Sequence, residues 1–335
     1  MRFHPPKCPY PHCSSRSRKS LRFRHRGSYR RACDGRTVLR FECLDCRRSF
    51  STQTFRLDYR LRRPTLWVEV FEQLISKVTL RQIARIHHCS RKSIAQRLTL
   101  FGLQARAFHL RTLEEARARF ALTGRFQLDE LETYEEDRRL SPLTVPVLIE
   151  RTSFFVLGAD VAPLASRGGL SPFHRLKKER REELLGKRRS GSRKAVAGMF
   201  ELLARFTPRS GPLLLESDEK ASYRTEARKV FGKRLVHQCY ASKSSKRPSS
   251  KLFPINHTLA QMRDGVSRLV RRTWASSKRA GMLSLHIWIW IGWRNYVRGI
   301  TNYATKTTPA MALQVLPYQV AIRELIAACE FELED

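Results

Sequence analysis

Between Thr79 and Leu98, apolar residues fall at Leu80, Ile83, Ala84 and Ile86, and again at Ile94 and Leu98 after a polar break. That spacing predicts two helices of two to three turns each. Thr79 and Ser90 stand where N-caps belong, and small Ala84 lets the helices cross closely. The segment reads as a helix-turn-helix, whose second helix would present Arg91, Lys92 and Ser93 to a major groove. An ordinary helical hairpin would carry the same pattern. His88 occupies the turn position that usually holds glycine, and His87 and His88 read as surface turn residues. A basic helix around Leu113 to Ala121 connects this segment to a run of strands.

From Phe126 the apolar period shortens to two. Phe126–Tyr134, Val145–Glu150 and Ser153–Val161 read as consecutive strands, with Arg138–Pro142 as the first turn. A Gly-, Ser- and Arg-rich insertion spans 165–192 and contains the charged run Arg175–Glu183, which reads either as a solvated helix or as a DNA contact. Beyond it the pattern predicts a helix over Ser192–Phe206, a strand over Pro212–Ser217, a helix over Ser222–Phe231 and a strand over Arg234–Ala241. An antiparallel meander extended by parallel strands through helical crossovers is the ribonuclease-H-like topology. His286–Tyr296 then reads as a helix covering the sheet, with Trp288 and Trp290 in the core. The expected fold class is α/β. Residues 1–63 form one domain, 64–122 the helix-turn-helix, 123–305 the mixed-sheet domain and 306–335 a C-terminal segment.

Composition adds a partner class. The 335 residues carry 65 Lys and Arg against 30 Asp and Glu, a formal net charge of +35, with 41% apolar residues. Such a chain can bury a proper core and still favour polyanions through counterion release, as ribosomal and membrane-surface proteins also do. Met1–Phe23 lacks the apolar run of a secretory signal. Leu283–Trp293, the most apolar stretch, is interrupted by Ser284, His286 and Gly292 and is too short to span a bilayer. These features predict no membrane partner and a cytoplasmic, nucleoid-associated location.

Of the eight cysteines, Cys8 and Cys13 form one close pair and Cys43 and Cys46 another. Four thiolates in two pairs suit tetrahedral Zn²⁺, so residues 1–63 read as a zinc ribbon. The first pair is wider than the usual two-residue spacing, so His12 can substitute for a thiol; Cys33 reads as a spare. This segment holds 18 Lys and Arg against 4 Asp and Glu, which makes it a polyanion-binding surface as well.

The first strand of the mixed sheet carries packed acid, Asp129, Glu130 and Glu132, inside an otherwise cationic chain. Asp218 closes a later apolar strand, and Asn256 opens a helical stretch. With the first and fourth strands adjacent, Asp129 and Asp218 meet and Asn256 can join them, an oxygen-rich set for two Mg²⁺ or Mn²⁺ ions in phosphoryl transfer. Alternation favours Asp129 as the ligand and leaves Glu130 and Glu132 as reserves. Asp218 and Asn256 can each serve as simple helix caps.

At Pro254-Ile-Asn256-His-Thr-Leu-Ala-Gln-Met-Arg263, followed by Ser267-Arg-Leu-Val-Arg-Arg-Thr273-Trp and Ser277-Lys278, the chain resembles bacterial and archaeal insertion-sequence transposases. The order of ribbon, helix-turn-helix and ribonuclease-H-like domain is similar too, as is the end segment Thr307–Leu313. The resemblance implies a DDE-type enzyme, here Asp-Asp-Asn, that cuts and joins DNA. It implies catalytic and Mg²⁺-binding roles for Asp129, Asp218 and Asn256, and matches Tyr223 to an aromatic after the second aspartate. Arg263 falls where the family keeps a basic residue, and Arg263, Arg268, Arg271, Arg272 and Lys278 recur at helical offsets that suit phosphate contact or an exposed cationic helix face. Implied partners are double-stranded element ends, target DNA and further copies of the chain. Asn in place of the usual Glu keeps a second reading open, a catalytically inactive, domesticated DNA-binding descendant. An RNA-binding protein would fit the charge but leave the acids unexplained.

Overall fold

The computed structural model describes residues 3–17, 20–32, 35–55, 66–241, 250–270, 275–303 and 305–327. Cys33, Arg271, Arg272 and the acidic tail 330–335 lie outside the described residues. The chain divides into two compact units, 1–69 with 327–335, and 70–326.

The smaller unit is a three-stranded antiparallel sheet, β1 (Phe23–Arg30), β2 (Thr37–Cys43) and β3 (Ser49–Ser51), in that order. Phe41 is its hub, with ring centroids 5.5 Å from Phe23, 5.6 Å from Phe50 and 5.8 Å from Phe3. Among the described residues, Cys8, Cys13, Phe41, Cys43 and Phe50 form its buried cluster. So small an apolar core ordinarily needs a covalent or metal staple, and three of its five members are thiols.

The larger unit is a mixed α/β structure. Its sheet runs β6 (Val156–Ala159), β5 (Pro142–Glu150), β4 (Arg125–Tyr134), β8 (Leu213–Ser217), β9 (Leu235–Cys239), with β7 (Ala162–Pro163) continuing the edge beside β5. β4, β5 and β6 pair antiparallel, whereas β4–β8 and β8–β9 pair parallel. Parallel neighbours need crossovers, and α5 (Ser192–Phe206) and α6 (Ala221–Phe231) supply them. All nine residues of β5 are buried, as a strand covered on both faces requires. One face packs Leu131, Val145 and Val147 against Ile255, Leu259 and Met262 of α7 (Phe253–Gly265) and Ile287, Trp288 and Trp290 of α8 (Ala280–Gly292). Trp288 and Trp290 are core, as expected.

The first strand boundary shifts from the expectation. β5 begins at Pro142, because a proline donates nothing to the ladder but is tolerated as the first residue of a strand. Within the 165–192 insertion, α4 (Pro172–Leu185) buries no residue at all. Among the described residues, no helix is long and apolar enough to cross a membrane.

Three helices precede the sheet: α1 (Trp67–Ile75), α2 (Leu80–Ile86) and α3 (Arg91–Arg117). Thr79 caps α2 in a capping box with Gln82, and Ser90 caps α3 through Ser93 N at 3.1 Å. His88 adopts φ +47°, the left-handed conformation usually given to glycine. Cys89 N donates to Ala84 O at 2.9 Å and His88 N to Arg85 O at 3.3 Å, so the turn closes as a Schellman motif without glycine. His87 is more than a surface turn residue, since its Nε2 lies 2.9 Å from Gln73 Oε1.

The second short helix and the basic helix expected around Leu113 to Ala121 are one element, and α3 runs unbroken for 27 residues. Gly102 does not terminate it, because its bare Cα is where α8 packs: a Cβ there would stand 2.6 Å from Leu285 O. Alanine at this position gains about 1 kcal/mol of helix propensity but must push backbone aside. Gly102→Ala is therefore expected to lose a net ~1–3 kcal/mol. A lowered urea midpoint at unchanged m-value would show it.

Candidate functional site: an acidic pair and a four-cysteine cluster

Parallel pairing between β4 and β8 sets Leu128 opposite Ser217, and the register is constant along the ladder. One residue further, it brings Asp129 alongside Asp218, where β8 ends and β4 continues. Burial pushes the Asp129 carboxyl up to about 6, and the charges of Asp218 and Glu130 push the same way. Glu130 N donates to Asp129 Oδ1 at 2.7 Å, and together with the Lys220 charge it offsets part of that rise.

Gln127 lies two residues before Asp129 and so on the same face of β4. It is fully buried, donates to Glu216 Oε2 at 2.7 Å and Lys251 O at 2.6 Å, and accepts from Ile255 N at 3.0 Å. The first turn of α7, which carries Asn256, is thereby fixed on the strand that carries Asp129. Asn256 is not an N-cap, because Leu252 holds that position and Pro254 occupies the first turn ahead of it. Its Nδ2 donates to Leu252 O at 3.0 Å, and Oδ1 is the atom of this amide that can ligate a cation.

Asp218 is not a helix cap either. Its Oδ1 accepts from Lys220 N at 3.1 Å, and Lys220 itself is the N-cap residue of α6. The two reserve acids are otherwise engaged. Glu130 accepts from Lys220 Nζ, from Ser192 Oγ at 2.6 Å, from Thr144 Oγ1 at 3.0 Å and from Tyr223 OH at 3.1 Å. Burial alone would raise Glu130, but the bonds from Lys220, Ser192 and Thr144 hold its carboxyl below the usual range. Glu132 is exposed and pairs with Arg167 at 2.7 Å. Burial and the charges of Glu130, Asp129 and Asp218 keep Tyr223 neutral far above its ordinary range.

Gln127 and Lys220 escaped the sequence reading. Both had a signal: a polar residue two before an acid on a core-facing strand, and a cation two after the second acid. Among the basic candidates, Arg91, Lys92 and Lys278 line one cleft, whereas Arg263 lines a different one with Tyr134, Arg138 and Arg167.

The sulfurs of Cys8, Cys13, Cys43 and Cys46 lie within 4.8 Å of one another, the closest pairs being Cys13–Cys43 at 3.7 Å and Cys8–Cys46 at 3.8 Å. A tetrahedral ion with ligands at about 2.3 Å needs sulfurs about 3.8 Å apart, so the four can hold a metal such as zinc. The second pair sits on the β2–β3 turn, where Arg47 takes φ +58° and donates its N–H to Cys43 O at 2.9 Å. Ser15 Oγ is 3.0 Å from Cys13 Sγ, a supporting contact to one thiol. Among the described residues, this is the only group of three or more Cys, His, Asp or Glu placed to share an ion.

Two measurements test these sites. Metal analysis of the purified chain is expected to find about one bound ion per chain, and Cys43→Ser is expected to lower it and to melt the small unit, since binding energy here is folding energy. For the acidic pair, the sign follows from the raised Asp129 carboxyl. Between its unfolded value of 3.8 and about 6, the folded chain holds more protons than the unfolded one, so stability falls as pH rises through that window. In EDTA at pH 8, Asp129→Asn should stabilise by up to about 3 kcal/mol, a gap that closes as pH approaches 4. Denaturant melts at several pH values give the comparison. The chain matches no family model and no curated protein.

Proposed function

We propose that this protein is a DNA transposase, which binds element ends and target DNA as duplexes, assembles as a homo-oligomer on DNA, and cuts and joins strands at Asp129, Asp218 and Asn256. The observation that carries the proposal is the β4–β8 register, which ends at Leu128 and Ser217, one residue before two carboxylates from distant parts of a basic chain, with the Asp218 charge acting on Asp129. The strand order β6-β5-β4-β8-β9, three antiparallel then two parallel, supports a ribonuclease-H-like reading of the sheet. The capped α2–α3 pair supports a helix-turn-helix, and the four-cysteine unit supports a zinc ribbon on a strongly basic segment.

The donor set suits Mg²⁺ or Mn²⁺. Burial, with the charges of Asp218 and Glu130, raises proton affinity at Asp129, a cost that a divalent cation would relieve, and the Asp129 and Asp218 carboxylates and the Asn256 amide offer hard oxygens. When bound, such ions polarise a phosphodiester and activate water or a 3′-hydroxyl. The chain's own residues do the positioning: Gln127 fixes the turn that carries Asn256, Lys220 N orients Asp218, and Glu130 with Tyr223 holds Lys220 in place.

One observation favours a second reading, a catalytically inactive DNA-binding descendant. Asn256 is neutral, and among the described residues no third Cys, His, Asp or Glu completes a metal-binding set with the two aspartates. A strand-cleavage and joining assay with Mg²⁺ and candidate element ends separates the two. Activity is expected in the wild type, with a loss of more than about 100-fold in Asp129→Asn and Asp218→Asn, the scale of removing an active-site electrostatic stabiliser. DNA affinity should persist in both variants. A wild type that binds DNA but never cuts it establishes the second reading.

A further inference from the structure

We infer that the cleft between the α2–α3 turn and the start of α8 grips one phosphodiester backbone of duplex DNA, and that Arg91 and Lys92 serve there as phosphate ligands and not as readers of base sequence. The inference rests on the DNA reading proposed for the whole chain. The cleft holds about 670 Å³, and its lining includes Arg81, Arg91, Lys92, Arg268, Lys278 and Arg279, with no Asp or Glu among the described residues. Three of these cations come from the helix-turn-helix and three from the segment that joins α7 to α8. Among the described residues, none of the six has a carboxylate within ion-pair distance. The acid that touches this corner, Glu135, accepts from Ala280 N at 2.6 Å and does not line the cleft.

Arg268 makes the arrangement costly without an anion. It is largely withdrawn from solvent, bonds Ser277 Oγ through Nη1 at 3.2 Å, and leaves its Nε buried without a partner. Burial and then the nearby Arg91 charge lower its pKa, a sign that the two guanidinium groups repel across the cleft. A solvated cationic face would spread its charges outward, whereas this one converges them on a concave surface. A phosphodiester answers that concentrated charge.

The same geometry argues against base readout by the first turn of α3. A recognition helix reads bases by entering a groove about 12 Å wide. Here Arg91 and Lys92 instead share one cleft with Arg268, Lys278 and Arg279, and the Arg91 charge acts on Arg268. Contacts to phosphate fix register but carry no sequence information.

Fluorescence anisotropy with the full-length protein, two duplexes of unrelated sequence and a KCl series tests the assignment. Arg91→Gln/Lys92→Gln and Lys278→Gln/Arg279→Gln each change exposed side chains, and an unchanged urea midpoint controls for folding. Each pair is expected to weaken both duplexes by the same factor and to reduce the slope of log K against log[salt] by ~2. Arg91→Lys should preserve that slope. An unchanged slope, a loss confined to one duplex, or tighter binding of RNA than of duplex DNA overturns the inference. If the wild type cuts DNA while the cleft variants behave like it, the cleft assignment alone falls; a wild type that neither binds nor cuts DNA removes the underlying reading with it.

Discussion

The parallel register between β4 and β8 is the constraint on which the candidate site depends. It pairs the segments of β4 and β8 that precede the acids, and the first position after β8 is Asp218, whose charge adds to the burial that raises the Asp129 carboxyl on β4. Like charges so arranged repel, and burial adds to the cost, so the sheet is held together by what lies before the acids. Phe126, Leu128, Leu213 and Leu215 are all buried. The folding energy that sustains two adjacent carboxylates therefore comes from apolar strand packing, and each carboxylate weakens the strand pair it terminates.

Alternation along β4 then divides its acids into two jobs. Asp129 shares a face with Gln127 and the α7 side of the sheet, whereas Glu130 faces Ser192 and Tyr223 on the side of α5 and α6. One carboxyl is left with a raised proton affinity and the other is fully hydrogen-bonded, although they are neighbours in sequence. Lys220 links Glu130 to Asp218, because its backbone N–H serves Asp218 while its ammonium serves Glu130. The Glu130 network thus stiffens the loop that presents Asp218 without using a ligand of the site.

Much of this was legible along the chain. The Thr79 and Ser90 caps, the alternating Phe126–Tyr134 strand, the paired cysteines and the core tryptophans follow from local rules of hydrogen bonding and periodicity. The length of α3 was not legible, because Gly102 looks like a helix breaker until Leu285 is seen packed on it. The turn at His88 was half legible: its position was evident, but its left-handed backbone is sustained by two Schellman hydrogen bonds that only the folded turn displays.

Sequence alone determined the element types, the pairing of thiols by spacing and the placing of acid along one strand and after the end of another, since each depends on neighbours a few residues apart. Tertiary structure decided which acid has its proton affinity raised, which side chain fixes the turn carrying Asn256, and which cations share a cleft. Those outcomes depend on groups tens to hundreds of residues apart, such as Gln127 with Ile255 or Arg91 with Arg268. Desolvation and Coulomb interaction act through space over a few ångströms, and the order of residues along a chain carries no record of that distance until the sheet and helices close upon it.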